Sequence, residues 1–177
     1  NGRCRQFYAR HVCESPYFRE IPKEFLQFLE SEYETTDSDP PFMLELAHYE
    51  WIEAALLSAE DPQIPATLDR NGDLLHAVPY VSPLAWTLGY HYPVHRIGPH
   101  YLPESPDEAL TWIVVYRDQN DEVGFTEINA ATARLLQIIN EKRCTGHEAL
   151  SLLATEMQHN DPEAIIAYGA TLLEDLQ

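Results

Sequence analysis

Apolar positions follow a helical period through the first third of the chain and turn to strand-like runs only in the second half. The period predicts that Arg3 to Cys13 closes a helix, which Ser15-Pro16-Tyr17 then breaks. A second helix begins at Ile21-Pro22-Lys23-Glu24, because a first-turn proline gives up only an N–H that has no helical partner. Ile21, Phe25, Phe28, Leu29 and Tyr33 mark its buried face. After the polar stretch Glu34 to Asp39, Asp39 is the expected N-cap before Pro40. Phe42 to Ala59 then carries Leu44, Leu46, Trp51, Ile52, Leu56 and Leu57 nearly all round, the pattern of a helix central to its domain.

Between Pro62 and Pro106 prolines are too dense for a useful helix. Leu74 to Val81 and Tyr90 to Ile97 read as extended and edge-like, each interrupted by proline. A loop from Gly98 to Pro106 leads into the strongest strand, Leu110 to Arg117. The turn Asp118-Gln119-Asn120-Asp121 and a second strand, Glu122 to Ile128, complete a hairpin. Three helices follow. Asn129 caps the first, whose apolar face is Ala131, Leu135, Leu136, Ile138 and Ile139. Thr145 and Glu148 form a capping box for the second, over Leu150, Leu153 and Met157. Asp161-Pro162-Glu163 opens the third, expected to bury Ile165, Ile166, Leu172 and Leu176. The expected fold is α-rich α+β in two domains. Residues 1–90 form part of a helical domain with a proline-rich connector, and residues 91–177 a winged-helix-like domain with a small antiparallel sheet and three helices.

Composition narrows the function classes. The 177 residues are 45% hydrophobic and 23% charged, enough for one ordinary domain or two small ones and too apolar for disorder. A net charge of -18 repels a phosphate backbone unless a local basic patch prevails. Cys4, Cys13 and Cys144 are too few and too scattered for a disulfide framework or zinc knuckle, so a reducing, cytoplasmic setting is expected. The apolar runs are strand-sized, and no membrane association is expected. The chain opens on Asn1 without a methionine, so an earlier segment is expected to be missing.

Catalytic signatures are absent: no Gly-rich phosphate loop, G-x-S-x-G elbow, H-E-x-x-H or C-x-x-C occurs, so no catalytic residue and no cofactor is predicted. Glu45-x-x-His48 and Glu156-x-x-His159 have the spacing of di-iron carboxylate helices, but the second pair ends its helix and cannot point into a bundle. His91, His95 and His100 are dense, yet Pro93 and Pro99 deny them a common helical face. No metal site is predicted.

The order hairpin, helix, helix, helix raises DNA binding, but Thr145 to Gln177 contains no Lys or Arg, and the hairpin tip carries Asp118, Asp121 and Glu122 against Arg117. Nucleic acid is therefore not expected on the C-terminal domain. The alternative DNA-contacting set is Arg3, Arg5 and Arg10 near the start, with Arg134, Lys142 and Arg143 on the first of the three helices. A peptide added to a sheet edge fits the acidic chain better. The predicted peptide site is Glu122, Val123, Gly124, Phe125, Thr126 and Glu127 of the second strand, with Ile165, Tyr168, Gly169 and Leu172 of the last helix. Gly124 and Gly169 would permit close approach. Equally, Val123 and Phe125 can serve as core residues, and Gly169 can relieve helix crowding.

The segments LELAHYEWIEAAL (44–56), YPVHRI (92–97) and LTWIVVYRDQNDEVGFTEINAATARLLQIINE (110–141) resemble the HvfC/BufC-like family. The matching features are Glu50-Trp51, Tyr92-Pro93-Val94, Val115 to Asp118, and Glu127 to Asn129. The resemblance covers essentially the whole chain and implies that the first part of the helical domain is absent. It implies two alternative roles. One is a non-enzymatic partner of a multinuclear non-haem iron enzyme that modifies cysteines in a ribosomally made precursor peptide. In that role the C-terminal domain resembles precursor-recognition modules of three strands and three helices, and the iron ligands belong to the enzyme. The other is transcriptional regulation, since the N-terminal helical domain of relatives has been labelled DNA-binding.

Overall fold

The computed structural model describes residues 2–176. The fold is α+β, with three helices, three strands and three further helices in chain order. The chain packs as two compact units. One comprises the chain up to Ala59 with Gly89–Thr111 and Val115–Gly124; the other comprises Glu60–Leu88, Trp112–Val114 and Phe125 onward.

In the first unit, α1 (Gly2–Arg10) buries Phe7 against α2 (Ile21–Ser31). Phe7 meets the Phe25 and Phe28 rings edge-on, at 5.4 and 5.6 Å between centroids, the arrangement aromatic quadrupoles favour. Pro22 lies in the first turn of α2, as its sequence position requires. Asp39 does not cap the next helix. Its Oδ2 accepts the Thr36 N–H, the Thr36 hydroxyl and the Tyr33 hydroxyl, while Oδ1 accepts the Arg3 Nε–H at 2.6 Å. The Thr36 amide foremost, aided by Arg3 and Tyr33, holds this carboxyl well below the usual range. Asp39 thus closes the turn and ties it to α1.

Helix α3 (Met43–Leu57) starts after Phe42 without a side-chain cap. It buries Ile52 and Leu56, whereas Leu44 and Leu57 are exposed, so its apolar residues are not all covered. Its C-terminal carbonyls need external donors. Arg117 Nη1 supplies them, donating to Leu56 O, Leu57 O and Ala59 O at 3.4, 3.2 and 3.1 Å.

The sheet has the order β1-β2-β3 and is antiparallel. Strand β1 (Ala85–Tyr90) falls between the two segments predicted as extended. Pro79 interrupts the first of these and Pro83 follows it, and a 3-10 turn at Val94–Arg96 follows Pro93 in the second. The proline-free window between them holds Trp86, Thr87 and Tyr90, all strand formers. Strand β2 (Thr111–Arg117) is central and buries Ile113, Val114 and Val115. It turns into β3 (Val123–Ile128) through a tight loop. There Asp121 N–H donates to Asp118 O, Asp118 N–H donates to Glu122 O, and Asp121 stands in the left-handed region at φ 62°. This is a type I turn with a bulge, with aspartate where glycine is commoner. The Asp118 carboxylate holds it by accepting the Asn120 and Glu122 amides at 2.8 and 2.9 Å.

The second unit is built on α4 (Ala130–Lys142), α5 (Gly146–Glu156) and α6 (Pro162–Asp175). The three predicted caps are present: Asn129 accepts the Thr132 N–H, Thr145 and Glu148 form a reciprocal capping box, and Asp161 accepts the Ala164 N–H. Leu135, Ile138, Ile139, Ala149, Leu150, Leu153 and Leu173 form the core. Leu74 and Leu75, expected in an extended segment, instead lie in turns, and with Val81 they pack on this core. The buried stripe of α6 also differs from expectation: Leu173 is covered while Leu176 is exposed, and Ile165 and Leu172 are half-buried. Gly169 sets that rotation. A Cβ there would collide with the Leu150 side chain, so the line of Ile166, Gly169 and Leu173 faces α5. Met157, expected beneath α5, lies just past its end and is exposed.

Two substitutions probe these contacts. Gly169→Ala should lower stability by about 1–3 kcal/mol through overpacking, with the loss reduced when Leu150 is shortened to Val, as read by a urea double-mutant cycle. Arg117→Leu should cost about 2 kcal/mol, because three carbonyls at the end of α3 lose a charged donor. Equilibrium denaturation measures it, and an unchanged midpoint would show that water replaces the guanidinium.

Candidate functional site

Strand β3 is terminal in the sheet, with β2 as its neighbour. Terminal strands are where an extended peptide can be added. Of the residues predicted to hold such a peptide, Glu122 is exposed in the turn, with its amide held by Asp118. Val123, Gly124 and Phe125 are half-buried, while Thr126 and Glu127 are exposed. On α6, Ile165, Tyr168 and Leu172 share one stripe at i, i+3 and i+7. Tyr168 is 69% exposed, the outermost of the three.

The two glycines serve the chain itself. At Gly124 a Cβ would sit 2.5 Å from Tyr116 Cζ and 2.7 Å from its hydroxyl, so the Tyr116 ring of β2 lies across the glycine. Such an aromatic covers the backbone that a glycine leaves bare in a strand pair. Gly169 is buried under Leu150. The close approach that each glycine permits is therefore made by a neighbouring side chain of the same unit.

The basic residues divide into ties and surface groups. Arg3 is held by Asp39. Arg134 makes a bidentate pair with Glu156, Nε and Nη2 each 2.7 Å from a carboxylate oxygen, which raises the guanidinium and lowers the Glu156 carboxyl. Arg5, Arg10, Lys142 and Arg143 are exposed, and Arg143 ends α4 in the left-handed region at φ 50°.

The acid–histidine pairs are turned to separate partners. Glu45 accepts from His91 Nδ1 at 2.8 Å and from the Tyr92 N–H at 3.0 Å. His48 Nδ1 shares a hydrogen bond with the Tyr90 hydroxyl at 2.9 Å. Burial pushes His48 down and the Tyr90 phenol up, so both favour their neutral forms. His159 bonds to the Asp161 backbone, and His95 Nε2 accepts from Arg96 Nε at 3.0 Å. Among the described residues no three His, Cys, Asp or Glu side chains gather as a metal ligand set.

Sequence reasoning missed the Arg117 contacts and a histidine clamped between carboxylates, His11 with Glu24 and Glu32. The only signal for Arg117 was a lone cation ending an apolar strand. His11 gave none, since its partners lie 13 and 21 residues away.

The hairpin register makes one candidate testable. Asp118 pairs with Glu122 across the bulge, and ladder groups alternate sides with period two, so the Thr126 N–H faces β2 rather than the outer edge. Thr126→Pro should then lower stability by about 1–3 kcal/mol instead of sparing the fold. A melting curve unchanged by this substitution would place the N–H on the outer edge.

No curated protein matches the chain. Among the described residues no helix is long and apolar enough to cross a membrane. A family model described as the HvfC C-terminal domain matches residues 82–177, more than half of the chain. The matched span contains all three strands and α4 to α6, together with the segments 92–97 and 110–141; the segment 44–56 lies outside it. On that match, the chain belongs to the HvfC C-terminal domain family.

Proposed function

We propose that the chain is a non-enzymatic adaptor that holds a ribosomally made precursor peptide for an iron-dependent modifying enzyme. The family match over residues 82–177 carries this reading. The peptide would add to the outer edge of β3, where main-chain hydrogen bonds give affinity that depends little on sequence. Side-chain selection would come from the half-buried Phe125 of β3 and from the α6 stripe of Ile165, Tyr168 and Leu172. Gly124 and Gly169 would act indirectly, by seating Tyr116 and Leu150. Bond-making at the peptide would belong to the partner enzyme and its iron, leaving this chain to bind and present.

DNA binding draws less support. The net charge is -18, and Arg3 and Arg134, two of the six candidate contacts, are engaged by carboxylates. Amide-shift mapping separates the readings. Titration of the labelled full chain with a cysteine-rich precursor peptide should shift Val123 to Ile128 and Ile165 to Leu172. Shifts confined to α1 and α2, or tight sequence-dependent binding of a DNA duplex at physiological salt, would overturn the adaptor reading.

A further inference from the structure

We propose that His11 is a pH-operated latch that fastens the 11–15 segment, and with it the end of α1, onto α2. The His11 side chain is only 10% exposed. Its ring stacks on Phe7 at 4.9 Å between centroids and meets Phe28 edge-on at 6.3 Å. Both ring nitrogens face carboxylates: Nδ1 lies 2.8 Å from Glu32 Oε1, and Nε2 lies 2.9 Å from Glu24 Oε2. A neutral imidazole carries one N–H and can donate to only one of them. Only the imidazolium satisfies both, so the site is built for the charged ring. Glu24 is itself buried and accepts the Glu14 and Ser15 amides at 3.1 and 2.9 Å. One carboxylate thus gathers the ring and two amides of the same segment.

The titratable groups around the ring are Glu24 and Glu32 of α2, with the Cys13 thiol beside Glu24. Phe7 and Phe28 are the apolar neighbours. The Glu32 hydrogen bond foremost, then that of Glu24, raises His11 above its ordinary 6.5, against the effect of burial. The Ser15 amide foremost, then His11 and the Glu14 amide, lowers Glu24 below 4.5. Because the folded His11 midpoint is raised, its contribution is complete below pH 6.5 and is lost as pH rises through that midpoint. Because the folded Glu24 midpoint is lowered, its contribution is complete above pH 4.5 and is lost as pH falls through that midpoint. The latch is closed between these limits and loosens on the alkaline side, where a neutral ring leaves one carboxylate without its donor. Opening uncovers Phe7 and Phe28, both buried in the closed form.

The test uses the full chain and two readouts, the imidazole titration of His11 by NMR and amide protection factors over Phe7 to Ser15. Leu135 to Leu153 in the other unit serves as reference. The His11 midpoint should lie above 6.5. Protection over Phe7 to Ser15 should fall between pH 6.5 and that midpoint, by about tenfold for each unit separating them, while the reference stays flat. Glu32→Gln, a change at a partly exposed side chain, should move the midpoint toward 6.5 and shrink the fall; His11→Gln should abolish it. A midpoint at or below 6.5, flat protection in the wild type, or an undiminished fall in Glu32→Gln would each overturn the proposal. The last of these decides even where His11→Gln does not fold.

Discussion

The guanidinium of Arg117 closes the end of α3 and ties the end of β2 to it. The last carbonyls of a helix point away from any helical donor and carry the negative end of its dipole. Arg117 brings a cation and the N–H groups of its Nη1 to that end, with its side chain only 6% exposed. Because Arg117 is also the last residue of β2, the same side chain anchors the strand end next to the turn that Asp118 holds. Asp121, 3.6 Å from Arg117 Nε, then takes up its left-handed conformation beside an anchored strand end. The register that follows puts Tyr116 over Gly124. One buried charge therefore links helix end, strand end and turn.

The short-range part of this fold was legible in the sequence, and the long-range part was not. Asn129, Thr145 with Glu148, and Asp161 cap their helices because a cap needs only an oxygen and an amide three positions on. The hairpin was legible for the same reason, since four polar residues separate two apolar runs. Asp39 defeated forward reading because its carboxylate turns back to Thr36 and Tyr33 and out to Arg3, 36 positions away, instead of to the helix that follows. The stripe on α6 defeated it because Gly169 lets α5 approach and turns Leu173 inward in place of Leu176. At the candidate site the span of β3 was readable almost to the residue. A glycine in sequence announces space, however, and not which side chain fills it, so the roles of Tyr116 and Leu150 emerged only in three dimensions.

Charge is used in a similar way throughout. In a chain with 29 acidic residues against 11 basic ones, arginines are scarce, and several are committed to joining segments. Arg3 joins α1 to the 36–39 turn, Arg134 joins α4 to the end of α5, and Arg117 joins the hairpin to α3. Counting cations along the sequence suggested a binding patch. Their geometry gives three of them structural duties.

The turns at 74–77 complete α5 from outside. Leu75 O accepts the His147 N–H at 2.8 Å and Ala77 O accepts the Gly146 N–H at 3.3 Å, so two first-turn amides of that helix are met by carbonyls upstream of β1. Gly146 has no room for a side chain because Leu74 O lies against it, and Leu74 and Leu75 pack on the core. A module excised at residue 82, where the family match begins, would lose this strap, expose the apolar surface beneath it and leave those amides to solvent. The compact unit that holds α5 therefore begins upstream of the family match, in a proline-rich stretch that by composition alone resembles a linker.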